Sequence, residues 1–190
     1  MGLKIFESTV FGKDDLADKE LIKGEYERCT FKCCDFGNAD LTNITFIDCA
    51  FEDCNLSMTR IRNSSFKSVK FINCKLLGLN FSECNEFLLS VNFENCLLNL
   101  ASFYKLKLKG TKFNYCNLQE VDFTEADLTG AMFDNCDLDR AIFVRTNLEK
   151  ADFRTAYHYS IDPTINRMKK ARFSKDGLAG LLERFNIIAE

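Results

Sequence analysis

Cysteine gives this chain its greatest chemical reach, with ten among 190 residues. Cys29, Cys33 and Cys34 fall close enough in sequence for thiolates that share a zinc ion. In an oxidising compartment the full set would read as a disulfide framework. Beyond them the inventory is thin. His158, between Tyr157 and Tyr159, is the only histidine, and neither a Gly-rich phosphate loop nor a Ser/His/Asp grouping accompanies it. The register in which the cysteines recur decides among these chemistries. Cys34, Cys54 and Cys74 are twenty residues apart, and Cys96, Cys116 and Cys136 resume that spacing after a slip of two residues.

The twenty-residue period divides into fives. A large apolar residue stands at every fifth position from Phe31, Phe36, Leu41 and Phe46 to Phe81, and again from Phe93 to Phe153. Two residues before each stands a small or medium uncharged one. Cys29, Cys34, Cys49, Cys54, Cys74, Cys96, Cys116 and Cys136 occupy that place, and only Cys33 and Cys84 fall outside it. Five is neither 3.6 nor 2, which excludes an amphipathic helix and a long flat strand. Residues two apart share one face of an extended segment, so each unit turns one large and one small side chain inward. Keeping that pair in phase over an odd interval requires a bend in every unit. Four bends close a coil, marked by the column Phe31, Phe51, Phe71, Phe93, Phe113, Phe133 and Phe153. The repeat predicts a solenoid of about six coils, on the order of 30 Å long. Its inward thiols act as compact hydrophobes, so no catalytic residue, metal or cofactor is expected.

Ala126-Asp127-Leu128-Thr129-Gly130 and Ala131-Met132-Phe133-Asp134-Asn135 run small, polar, Leu or Phe, polar, polar. In these units the sequence resembles the pentapeptide repeat family over about two thirds of its length. The resemblance implies an all-β fold, a right-handed quadrilateral parallel β-helix. Cys54-Asn55-Leu56-Ser57, Cys74-Lys75-Leu76-Leu77-Gly78-Leu79-Asn80-Phe81, Ile161-Asp162-Pro163-Thr164-Ile165-Asn166-Arg167 and Lys170-Ala171-Arg172-Phe173-Ser174 resemble one branch of it. That branch holds the albicidin-resistance and microcin B17-immunity proteins, relatives of the Qnr quinolone-resistance proteins. It implies head-to-head homodimers that imitate DNA, engage DNA gyrase or topoisomerase IV and relieve topoisomerase poisons, with no direct nucleic-acid binding. A non-catalytic scaffold or regulator unrelated to topoisomerases is the alternative.

The regularity also sets the expected boundaries. Residues 1–28 are expected to form an irregular N-terminal cap, because Phe6, Phe11, Leu16, Leu21 and Tyr26 keep the phase while Lys4, Asp14 and Lys19 occupy the small track. Residues 29–153 form the repeat, with a break near 82–90 where two extra residues enter and Glu86 would point inward. A loop carrying Glu83, Glu86 and Phe87 is expected to project there. Residues 154–190 form a C-terminal cap whose helix, about 175–186, carries Leu178, Leu181, Leu182 and Phe185 at i, i+3, i+4 and i+7. This face is expected to cover the last coil and pair with a second copy, with Ile187 and Ile188 adding apolar surface.

Charge supplies the candidate partner surface. The net charge is −3, yet Glu120, Asp122, Glu125, Asp127, Asp134, Asp137 and Asp139 form an acidic band, all on outward positions, with no Lys or Arg from Phe113 to Asp139. Residues 154–190 carry seven basic against four acidic side chains. Acidic side chains at coil spacing create a field that attracts a DNA-binding surface, whereas the plain alternative is a solvated wall. No apolar run is long enough to span a membrane, and the first residues lack both a signal-peptide core and the myristoylation pattern. The expectation is a cytoplasmic protein with no membrane partner.

Overall fold

The computed structural model describes residues 4–15 and 21–187; Leu16, Lys19 and Ile188 lie outside them. The chain winds as a right-handed, four-sided parallel β-helix of about 8 turns. One wall is a four-stranded sheet of Lys4–Glu7, Gly24–Glu27, Thr45–Ile47 and Ser65–Lys67. A second is a nine-stranded sheet that starts at Val10–Phe11 and ends at Arg172–Phe173. Isolated parallel bridges such as Asn117↔Asp137 and Asp122↔Ile142 hold the other walls. The register is that of the sequence columns: Phe31 pairs with Phe51, Phe71 with Phe93, and Phe113 with Phe133.

The rod is longer than the six coils expected. Lys4 pairs with Gly24 and Phe6 with Tyr26, so the ladder reaches into the stretch expected to be irregular. Gly24 permits this, because a Cβ there would collide with the Lys4 backbone. At the other end Phe153 pairs with Phe173 and adds a further coil.

Aromatic rings fill the interior. Phe113 stacks on Phe93 at 5.2 Å and on Phe133 at 5.0 Å, while Phe123 from the opposite wall meets it edge-on at 5.9 Å and 78°. Each such pair adds about 0.5–1.5 kcal/mol to the burial of the rings. The small inward residues also hydrogen-bond: Cys54 Sγ donates to the Phe31 carbonyl at 3.3 Å, as Thr59 Oγ1 does to Phe36 at 2.7 Å and Thr146 Oγ1 to Phe123 at 2.9 Å. Cys, Ser and Thr are therefore equivalent at this place in a way Ala is not.

The corners explain the polar positions. In most units the residue two beyond the large apolar one has positive φ, including Asn38 (59°), Asn73 (54°), Glu120 (56°) and Glu125 (59°). This left-handed conformation turns the chain, and Asn, Asp and Gly tolerate it best. On all four walls an Asp or Asn just before the large residue accepts the backbone N–H two residues on, as Asp122 does from Thr124 (2.8 Å), Asn117 from Gln119 (3.0 Å) and Asp152 from Arg154 (3.1 Å).

The C-terminal segment differs from the α-helix expected over 175–186. It consists of tighter 3-10 turns, Asp176–Leu181 and Glu183–Phe185. Gly177 and Gly180 weaken an α-helix, and Gly180 is drawn against the rod, where its carbonyl accepts the Ile161 N–H at 2.9 Å. Replacing Phe113 by Ala should cost about 3–5 kcal/mol and lower the thermal midpoint accordingly. Phe113→Asp should abolish the folded state, because its carboxylate would have no partner among the rings. Circular-dichroism melts check both, and an unchanged midpoint would mean the ring is not in the core.

Candidate protein-binding surfaces

The thiols offer no nucleophile among the described residues except at one place. Cys33 is exposed and the other nine cysteines are buried and unbridged. Burial, reinforced by the neighbouring Cys54 thiol, pushes Cys34 up to about 12. Hydrogen bonding to Cys136 is the largest influence raising Cys116 to about 12, and burial adds to it. Thiols so shifted stay protonated. Cys84, expected outside the inward track, is buried as well, and burial ahead of the Glu86 charge lifts it to about 12. The break accounts for this. A 3-10 turn over Phe81–Glu83 leads into the buried Cys84, Glu86 stands in solvent, and Leu89 packs against the core.

The seven candidate acidic residues encircle the rod. Asp134 lies on the nine-stranded sheet, Asp137, Asp139 and Glu120 on and beside the next wall, Asp122 and Glu125 around the third, and Asp127 on the fourth. None is buried, in keeping with the outward assignment. Most face a cation: Arg140 meets Glu120 at 3.1 Å and Asp139 at 3.3 Å, Arg145 meets Glu125 at 2.5 Å, and Lys109 meets Asp127 at 3.3 Å. Hydrogen bonding from Arg145 holds Glu125 below the usual carboxylate range. Burial would raise Asp127, but the hydrogen bonds of Thr129 and Lys109 outweigh it and leave that carboxyl low. Asp137 takes a hydrogen bond from Gln119 at 2.9 Å and has His158 Nδ1 at 2.9 Å. Among the described residues Asp122 and Asp134 have no ion-pair partner within 4 Å, and Asp137 has no Lys or Arg there.

Residues that sequence reasoning passed over lie between the acidic stretches. Residues 59–112 carry nine Lys and Arg against three Asp and Glu, so the middle of the rod is +6 while its net charge is −3. The signal was available in a running charge count. From this region the break projects Phe87, 68% exposed, with Leu88 also exposed and the Lys67 ammonium 5.9 Å from the Phe87 ring centroid. Glu83 and Glu86 flank it in solvent. At the C-terminal end Leu181 packs against the core, whereas Leu178, Leu182, Phe185 and Ile187 remain exposed. No helix among the described residues is long and apolar enough to cross a membrane, and no group of three metal-ligating side chains converges among them.

The family described as "Pentapeptide repeat region" matches residues 25–87 and 85–153. No curated protein matches the sequence. Among solved structures the chain is similar to full-length QnrB1, a plasmid-mediated fluoroquinolone resistance protein, with 19% identity over 97% of this chain and 100% of that one and a TM-score of 0.59. HetL, a pentapeptide repeat protein involved in heterocyst differentiation regulation in the cyanobacterium Nostoc, aligns at 14% identity over 91% of this chain and 90% of its own, with a TM-score of 0.36. A pentapeptide repeat protein of the Arabidopsis thaliana thylakoid lumen aligns at 19% identity over 78% and 74%, with a TM-score of 0.33. At the identity it shares with QnrB1, the likeness is one of fold.

The burial pattern yields a count that can be measured. A thiol reagent added to native protein should label Cys33 alone, and denaturation should expose all ten cysteines. Fast native labelling of Cys54, Cys84 or Cys116 would contradict the inward thiol column.

Proposed function

The chain belongs to the pentapeptide repeat family, and we propose that it is a non-catalytic protein-binding rod that engages DNA gyrase or topoisomerase IV and protects it from topoisomerase poisons. One observation carries the binding role. The interior is filled by stacked rings, so walls and ends are what the rod offers a partner, and the wall breaks its regularity to present Phe87 and Leu88. The topoisomerase target rests on the branch motifs around Cys54, Cys74, Ile161 and Lys170, and the full-length likeness to the fluoroquinolone resistance protein QnrB1 is consistent with it. Glu120, Asp122, Glu125, Asp127, Asp134, Asp137 and Asp139 would meet the enzyme's basic DNA-binding surface, beside the loop of Glu83, Glu86 and Phe87. The +6 middle favours the second reading, a scaffold unrelated to topoisomerases, because a DNA duplex carries negative charge along its whole length.

Gyrase supercoiling with albicidin, a quinolone or microcin B17, with this protein titrated in, separates the two. Protection is expected, weakening as salt rises. Changing Asp122, Asp127, Asp134 and Asp137 together to Asn should preserve the fold, since Asn117 and Asn147 make the turn contact of Asp122, Asp127 and Asp137, and an amide oxygen at position 134 can still accept the Thr155 hydroxyl. The concentration needed for half-protection should rise about tenfold. No effect of the wild-type protein on gyrase would leave the scaffold reading.

The exposed Leu178, Leu182 and Phe185 support a homodimer through the C-terminal end, with Leu181 holding the segment to the rod. Light scattering should give twice the chain mass for the wild type and a monomer for Leu182→Glu. A wild type already monomeric at micromolar concentration would rule the pairing out.

A further inference from the structure

The wall that carries the break brings exposed apolar surface and unneutralised charge together. Phe87 and Leu88 project from it, 68% and 62% exposed. The Lys67 ammonium lies 5.9 Å from the Phe87 ring centroid, from the coil that Ser65 joins to Asn85. Lys107 and Lys109 follow on the same wall one coil after the break. Around the corner Asn92 stands in register with Lys70 and accepts the Lys112 N–H at 3.0 Å, so these two flank the break from the adjoining wall. Elsewhere on the rod Lys32 is neutralised by Glu52 and Lys105 by Glu125. Around the break Lys109 alone has a carboxylate within 4 Å among the described residues, that of Asp127. Lys67, Lys70, Lys107 and Lys112 keep their charge for a partner.

The backbone is unfinished at the same level. Among the described residues no backbone hydrogen bond joins residues 84–90 to residues 106–110, whereas the other three walls are bridged there. Lys107 and Lys109 line a narrow cleft of about 70 Å³ opposite Leu89 and Ser90. Its edge offers the Lys107 N–H as donor and the Lys107 and Lys109 carbonyls as acceptors. A peptide group answers both kinds, but a phosphate accepts and cannot donate. Glu83 and Glu86, in solvent beside Phe87, also oppose a continuous phosphate backbone. The cleft is too small for a whole strand, so an incoming chain lies across the wall.

We propose that this face docks an acidic segment of another protein, with Phe87 and Leu88 as the apolar anchor and Lys67, Lys70, Lys107 and Lys112 as counter-charges. An exposed aromatic beside an aliphatic side chain supplies the desolvated centre of such a contact, and the lysines supply its complementary rim. The occupant is opposite in charge to the basic surface that the topoisomerase reading requires. The two stand apart, because no topoisomerase enters the test.

Fluorescence anisotropy follows a labelled, end-blocked peptide, Asp-Glu-Asp-Leu-Phe-Asp-Glu-Asp, as the full chain is titrated in. The same peptide with Gly-Ser at its centre and a short oligothymidylate are run beside it. Phe87→Ser with Leu88→Asn removes the anchor, and Asn tolerates the positive φ of Leu88 (59°). Lys107→Gln with Lys112→Gln removes two counter-charges from exposed positions, and Lys23→Gln with Lys169→Gln removes the same charge from distant exposed ones as control. The acidic peptide should bind wild type and control alike, and more weakly as salt rises. Its affinity should fall at least tenfold in either patch variant, with the thermal midpoint unchanged, and the Gly-Ser peptide should bind wild type at least tenfold more weakly. Equal affinity in the patch variants and the control, tighter binding of the oligothymidylate than of the peptide, or no peptide binding at millimolar concentration would overturn the proposal.

Discussion

The parallel backbone hydrogen bond from one coil to the next governs this molecule. Because Asn117 N–H reaches the Cys96 carbonyl and Asp137 N–H the Cys116 carbonyl, each coil must trace the cross-section of its neighbour. Stacking of like on like follows, and so do rings at 4.6 to 5.6 Å within a column. The same constraint reaches the surface. Arg145 with Glu125, Lys32 with Glu52 and Arg60 with Asp40 are ion pairs between positions twenty residues apart, so the walls neutralise themselves along the rod axis. Exposed pairs of this kind contribute about 0–1 kcal/mol each, and their larger effect is on what the wall presents to a partner.

A rod filled by its own rings has no room inside for substrate, which moves the question of function outward. Wall charge alone is a poor guide, because the acids that look like a band in sequence are distributed over four walls and largely paired. What remains distinctive is where regularity fails: Phe87 and Leu88 at the break with the lysines around them, and the apolar residues of the last turns. Each arises where the twenty-residue rule is broken or ends.

Most of the fold was legible because one period controls it. Cys54, Phe71 and Phe123 could be placed in the interior from spacing alone, and their near-zero exposure bears that out. The reading failed where local geometry overrides the period. Glu86, whose place in the period would be inward, was expected on a projecting loop and stands in solvent, but Cys84 beside it was counted outside the inward track and is buried. Lys4 looked incompatible with a regular coil, but in the first coil the small track still faces solvent. The tail shows helical apolar spacing, yet docking of Gly180 against Ile161 selects 3-10 turns that spacing cannot distinguish. The lysines around the break are far apart in sequence, and only coiling brings Lys67 and Lys112 to one place.

The break between Phe81 and Val91 also sets how the rod comes apart. The four-stranded sheet stops at Ser65–Lys67, whereas the nine-stranded sheet runs through the break by pairing Phe71 with Phe93. One side of the rod is continuous while another is interrupted at the same level. In a solenoid each coil is stabilised only by the coils above and below, so cooperativity passes along the axis through whatever interface is weakest. Here three walls cross that level, through Phe71 with Phe93, Lys75 with Leu97 and Asn80 with Ser102, so opening is confined to the fourth, and amide hydrogens beside Leu88 should exchange through local opening before the rod melts.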